Sequence, residues 1–86
     1  RTYHSLRFVN GHLILRLSKQ LTEEQIASLE AEFPELRLPG TRIRPCSPLP
    51  EEQDEPDLLN LHRISLRFDH RHYGLLLAFI RRINTF

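Results

Sequence analysis

Leu6-Arg7-Phe8-Val9-Asn10-Gly11-His12-Leu13-Ile14-Leu15-Arg16-Leu17 is the stretch that decides the fold. Two alternating runs flank Asn10-Gly11. Both turn residues tolerate the positive φ that a type I′ turn demands, so the stretch predicts a two-residue β-hairpin. Such a turn sets Phe8 opposite Leu13 and Leu6 opposite Leu15. Register then places Leu6, Phe8, Leu13, Leu15 and Leu17 on one face, with Arg7, Ile14 and Arg16 on the other.

A helix follows. Thr22 and Gln25 stand at capping-box spacing, and Leu21 and Ile26 occupy the positions of a hydrophobic staple. Glu23 and Glu24 complement the positive end of the helix dipole. Ile26, Leu29 and Phe33 share one face, and Pro34 ends the helix by disfavouring helical geometry in Phe33. Pro39-Gly40 reads as a turn and residues 41–44 as a short strand, which Pro45 ends or marks as an edge. Residues 45–57 change composition. They hold four prolines and the acidic run Glu51-Glu52-Gln53-Asp54-Glu55-Pro56-Asp57. An extended, solvated loop or linker is expected there. A strand over 62–69 then carries Ile64, Leu66 and Phe68 on one face, with Arg63, Ser65 and Arg67 on the other. Asp69 or His70 is expected to cap a final helix of about 72–84, buried through Tyr73, Leu76, Leu77, Ile80 and Ile83. Leu75, Phe79 and Phe86 remain as surplus apolar surface and are the candidate interface residues.

The order is ββα twice. It predicts an α+β fold of two layers, with four mainly antiparallel strands, two helices on one sheet face and no partner on the other. The 86 residues make one domain, 1–86, with the acidic loop 45–57 inside it. The chain opens on Arg1 and holds no methionine, so it is expected to be a segment of a longer chain. No apolar run approaches a membrane span, and the lone Cys46 excludes an internal disulfide. A soluble, cytoplasmic protein is expected.

Alternation sends Arg7, Arg16, Arg42, Arg44, Arg63 and Arg67 to the open sheet face. Outside the acidic loop, 12 basic residues face 6 acidic ones, and all the basic residues but Lys19 are arginine. Arginine suits planar, bidentate recognition of carboxylate and phosphate. The plainest expectation is a solvated face with the acidic loop folded back over it. The competing expectations are an anionic ligand, an acidic patch on another domain, or nucleic acid. The last is disfavoured because Phe8 and Phe68 point to the core, leaving no exposed aromatics among the basic residues. The five histidines match no zinc spacing. Cys46 sits between prolines with no assigned base, and Tyr3-His4-Ser5 lacks both a third triad member and an oxyanion hole. No catalytic residue, metal or cofactor is expected.

Four stretches together resemble the C-terminal extension of bacterial LOG-family proteins, long labelled lysine decarboxylase-like. They are Tyr3-His4-Ser5-Leu6-Arg7-Phe8-Val9, Leu13-Ile14-Leu15-Arg16-Leu17, Leu49-Pro50-Glu51-Glu52, and Arg63-Ile64-Ser65-Leu66-Arg67-Phe68-Asp69 with Ile83-Asn84. The resemblance spans most of the chain. It implies an accessory domain after a Rossmann-type domain of nucleotide phosphoribohydrolase chemistry; the one-sided sheet and the surplus apolar surface of the last helix then suggest packing, through the arginine face or through Leu75, Phe79 and Phe86, on that domain or on a second copy. The family's Pro-Gly-Gly-x-Gly-Thr signature has no counterpart here, since Pro39-Gly40-Thr41 is too short. No catalytic residue carries over, and any activity is expected in the preceding domain.

Overall fold

The computed structural model describes residues 1–36, 42–67 and 69–86. The expected turn at Pro39-Gly40, the start of the strand at Thr41 and the core role of Phe68 lie outside them. Among the described residues, strands β1 (Tyr3–Val9) and β2 (His12–Leu17) form the hairpin. Asn10 and Gly11 adopt φ of 49° and 78°, as the turn requires. Phe8 pairs with Leu13 and Leu6 with Leu15, the register that the turn length dictates. Between Tyr3 and Ser5 the register shifts, so His4 is an extra residue in β1.

Helix α1 (Glu23–Glu32) begins on the expected capping box. The Thr22 hydroxyl accepts from the Gln25 amide at 3.1 Å, and the Gln25 side chain accepts from the Thr22 amide at 3.0 Å. Pro34–Leu36 form a 3₁₀ turn after it. Strand β3 (Arg44–Pro45) is two residues long, and its proline lies at the sheet edge. Strand β4 (His62–Arg67) pairs with β2 on one side and β3 on the other. The sheet order is β1-β2-β4-β3, antiparallel throughout.

The loop expected to be extended is partly helical. It contains a 3₁₀ turn at Pro50–Glu52 and the short helix α2 (Pro56–Leu59), each opened by a proline at a position where no intrahelical amide bond is needed. Helix α3 (Tyr73–Ile83) closes the fold. Ahead of it, the Asp69 carboxylate caps a 3₁₀ turn by accepting from the Arg71 amide at 3.0 Å.

The core joins one sheet face to α1 and α3. Leu13, Leu15, Leu17, Ile64 and Leu66 pack against Leu29, Leu36, Ile43, Leu76, Phe79 and Ile83. Phe33 meets Phe79 edge-on at 5.3 Å between ring centroids. The fold is the expected small α+β arrangement, with two corrections. First, α3 is rotated relative to the expected stripe. Phe79 is fully buried, and Leu75 and Phe86 pack against the core, so none of the three is surplus surface. Tyr73 and Leu77 lie outside instead. Second, the other sheet face is not without a partner: the loop between β3 and β4 folds back over its centre, as the plainest expectation had it, but the centre is buried rather than solvated, with Glu52 set against Arg16 and Arg63 and Ile14 enclosed. Among the described residues, no helix is long and apolar enough to cross a membrane.

Candidate functional site

Pairing confirms that Arg7, Arg16, Arg44, Arg63 and Arg67 share a sheet face. Arg7 registers with Ile14, Arg16 with Arg63, and Arg44 with Ser65, while Arg67 lies beside His12. Arg42 precedes β3 and lines a groove against α1 with Leu21, Ile26 and Ile43. What the structure adds is Glu52. Two adjacent strands present Arg16 and Arg63 side by side, and the 3₁₀ turn at Pro50–Glu52 sets one carboxylate between them.

Arg16 Nε donates to Glu52 Oε2 at 2.5 Å, and Arg63 Nε donates to Oε1 at 2.8 Å. The Leu49 amide donates to the same Oε1 at 2.7 Å. Arg63 also donates from Nη1 to the Leu61 carbonyl (2.7 Å) and from Nη2 to the Leu58 carbonyl (2.6 Å), and Arg16 Nη1 donates to Ser5 Oγ at 3.2 Å. Glu52 is 1% exposed and Arg63 3%. Burial alone would raise the Glu52 pKa. Hydrogen bonds from Arg63, the Leu49 amide and Arg16 outweigh it and hold the carboxyl at about 2. At the rim, Arg7 meets Glu51 at 3.2 Å with both side chains half exposed. Arg42, Arg44 and Arg67 are exposed.

The arginines are therefore divided. An external anion reaches Arg16 and Arg63 only by displacing Glu52, because both guanidiniums converge on its oxygens. Within the acidic run Glu52 has no chemical mark that sets it apart. Its one local signal is position, with a proline opening a helical turn and a glutamate placed to reach back to the Leu49 amide.

Elsewhere, His4 Nδ1 lies 2.9 Å from Ser5 Oγ, and that hydroxyl also accepts from Arg16. Cys46 lines a groove of about 380 Å³ with Leu17, Leu21, Leu59 and His62. Burial pushes its thiol pKa up, against the opposing charge of Arg63. Among the described residues, no group of three or more His, Cys, Asp or Glu side chains is placed to hold a metal.

The remaining unusual surface is apolar. Leu6 (39% exposed), Phe8 (58%), Tyr73 (61%) and Leu77 (44%) all belong to the core side of the molecule, yet they lie outside the core. Their placement follows from α3. Asn84, just after α3, accepts from the Tyr3 amide at 2.9 Å, so the helix ends beside the start of β1. Arg82 binds Glu32 of α1 at 3.0 Å, so that flank of α3 faces α1. Tyr73 lies nine residues earlier, half a helical revolution away, and Leu77 lies near it. Both therefore face the β1 edge, where Leu6 and Phe8 stand. A two-residue turn closes on a hydrogen-bonded Val9–His12 pair. The amides of Arg7 and Val9 thus point to β2, and those of Leu6 and Phe8 point outward.

Fold and surface together define a small α+β domain whose sheet, among the described residues, has a short, proline-ended edge at β3 and an unpaired, apolar edge at β1. Comparison with protein-family profiles, curated proteins and solved structures returns no match.

Proposed function

We propose that the domain is a non-catalytic interaction module that docks on a folded protein through the β1 edge and the apolar strip beside it. The carrying observation is the joint exposure of Leu6, Phe8, Tyr73 and Leu77 next to outward-pointing backbone amides. An unpaired strand edge offers main-chain hydrogen bonds, and alternating apolar side chains supply the area that makes such pairing stable. The partner chemistry is a strand of alternating apolar and polar residues that has apolar cover on the same face. The resemblance to a LOG-family accessory extension fits a non-catalytic role, since that family's Pro-Gly-Gly-x-Gly-Thr signature has no counterpart in this chain. The arginine face supports an anion-sensing role less well, because Glu52 already occupies its centre.

A photoreactive phenylalanine analogue at Phe8 tests the proposal in cells producing the intact protein. Protein adducts are expected at position 8, lost on Leu77→Lys and kept on Arg67→Glu, with none from the same analogue at Arg44. Absence of adducts at position 8, or adducts that survive Leu77→Lys and vanish with Arg67→Glu, would overturn it.

A further inference from the structure

We infer that Ser5 is a nucleophilic hydroxyl that accepts an acyl group from an activated ester or thioester, with His4 as its general base and Arg16 as the charge that stabilises its oxygen. Ser5 lies on the other face of β1 from Leu6 and Phe8, so the site is independent of the docking strip.

The irregularity in β1 makes the site. Sequence neighbours in a regular strand point to opposite faces, so an imidazole and the hydroxyl that follows it do not meet. In β1 the register shifts between Tyr3 and Ser5, and His4 is the extra residue. A bulge of this kind re-aims a side chain. It leaves His4 Nδ1 2.9 Å from Ser5 Oγ, within the reach that proton transfer needs. His4 is exposed and Ser5 half-buried. Among the described residues their strand is paired on one side only, so an acyl donor can approach from the other.

Arg16 sets the direction of the hydrogen bonds. A guanidinium donates and never accepts. Arg16 Nη1 donates to Ser5 Oγ at 3.2 Å, which leaves the serine's own proton for His4. The tautomer of His4 that carries its proton on Nε2 accepts it at Nδ1. Both bonds thus draw negative charge on to the serine oxygen. The wider charge balance acts the same way. Arg16 and Arg63 share the single carboxylate of Glu52, so the cluster keeps one positive charge in excess. Arg16 is buried and pinned at Nε by Glu52, while its Nη1 reaches Ser5. A fixed charge in dry surroundings stabilises a developing oxyanion more than a solvated one does.

In the transfer, Ser5 Oγ bonds to the acyl carbon and its proton passes to His4 Nδ1. The bond from that carbon to the leaving oxygen or sulfur breaks. The leaving group carries off the electron pair and takes the proton from His4. One O-acyl serine forms for each alcohol or thiol released.

Incubating the intact protein with p-nitrophenyl acetate, and following acetylation residue by residue with peptide mass spectrometry, tests the assignment. Ser5 is expected to react at least about tenfold faster than Ser18, whose hydroxyl donates instead to the carbonyls of Arg1 and Thr2. His4→Asn keeps a hydrogen-bonding atom near the place of Nδ1 but removes the base. It should bring Ser5 down to the rate of Ser18 while circular dichroism stays unchanged. A smaller margin over Ser18, or a Ser5 rate that His4→Asn leaves intact, would overturn the inference.

Discussion

Glu52 is where the chemistry of single residues matters most. Two guanidiniums share one buried carboxylate, so removing its charge leaves two cations facing each other on paired strands. Glu52→Gln keeps the shape and is expected to cost on the order of 3–5 kcal/mol, measured by urea unfolding near pH 7. The two arginines are not equivalent. Arg63→Met should cost more than Arg16→Met, because Arg63 also holds the Leu58 and Leu61 carbonyls. The pH dependence follows from the same contacts. The folded carboxyl titrates at about 2 against an ordinary 4.5, so its stabilisation is complete above the ordinary value and is lost as pH falls towards 2. Acid unfolding of the wild type should steepen across that window, and Glu52→Gln should flatten it. Little of this is legible in the sequence. Alternation correctly gathers Arg7, Arg16, Arg44, Arg63 and Arg67 on one face, while Arg42 stands before β3 in a groove against α1; Glu51, Glu52 and Glu55 look alike until the fold sets Arg16 beside Arg63.

Elements whose information is local are the ones that read cleanly. Asn10-Gly11 specifies the hairpin because its backbone must turn left-handed, and Gly11 sits at φ 78° with nothing within 4 Å of where a Cβ would stand. Gly11→Ala should therefore cost about 1–2 kcal/mol from backbone strain alone. Thr22→Ala, which dissolves the capping box of α1, should cost about 1 kcal/mol. Thermal or urea unfolding checks both. Strand β3 and helix α3 are harder to read. The pairing of β3 spans some twenty residues of intervening chain and, among the described residues, rests on Arg44 and Pro45 with a bond from the Cys46 amide to the Arg63 carbonyl. Helix α3 carries more apolar residues than one face can bury. Its rotation is set by neighbours distant in sequence, through Phe33 against Phe79 and Glu32 against Arg82. Phe79→Ala is accordingly expected to cost about 3–5 kcal/mol in urea unfolding. Leu77→Ala, on the exposed flank, should stay within about 0.5 kcal/mol for the isolated chain.

At the scale of the whole molecule, charge is arranged in two depths. The rim pair of Arg7 and Glu51 is exposed and should contribute no more than about 1 kcal/mol, fading as salt is added. The cluster at Glu52 is dry and should respond to salt far less. Arg7→Ala should therefore narrow the stability difference between low and high salt without abolishing the fold, as denaturation curves at two ionic strengths would show. The chain's two ends also meet. The Tyr3 amide donates to Asn84, the Ser18 hydroxyl donates to the carbonyls of Arg1 and Thr2, and Lys19 donates to the Phe86 carbonyl. Entry and exit thus lie at one end of the sheet, as the two feet of an arch stand on one sill. A domain so shaped can be spliced into the loop of another fold without prising that loop apart, or circularly rejoined by a linker of a few residues, because neither operation asks the sheet or the core to move.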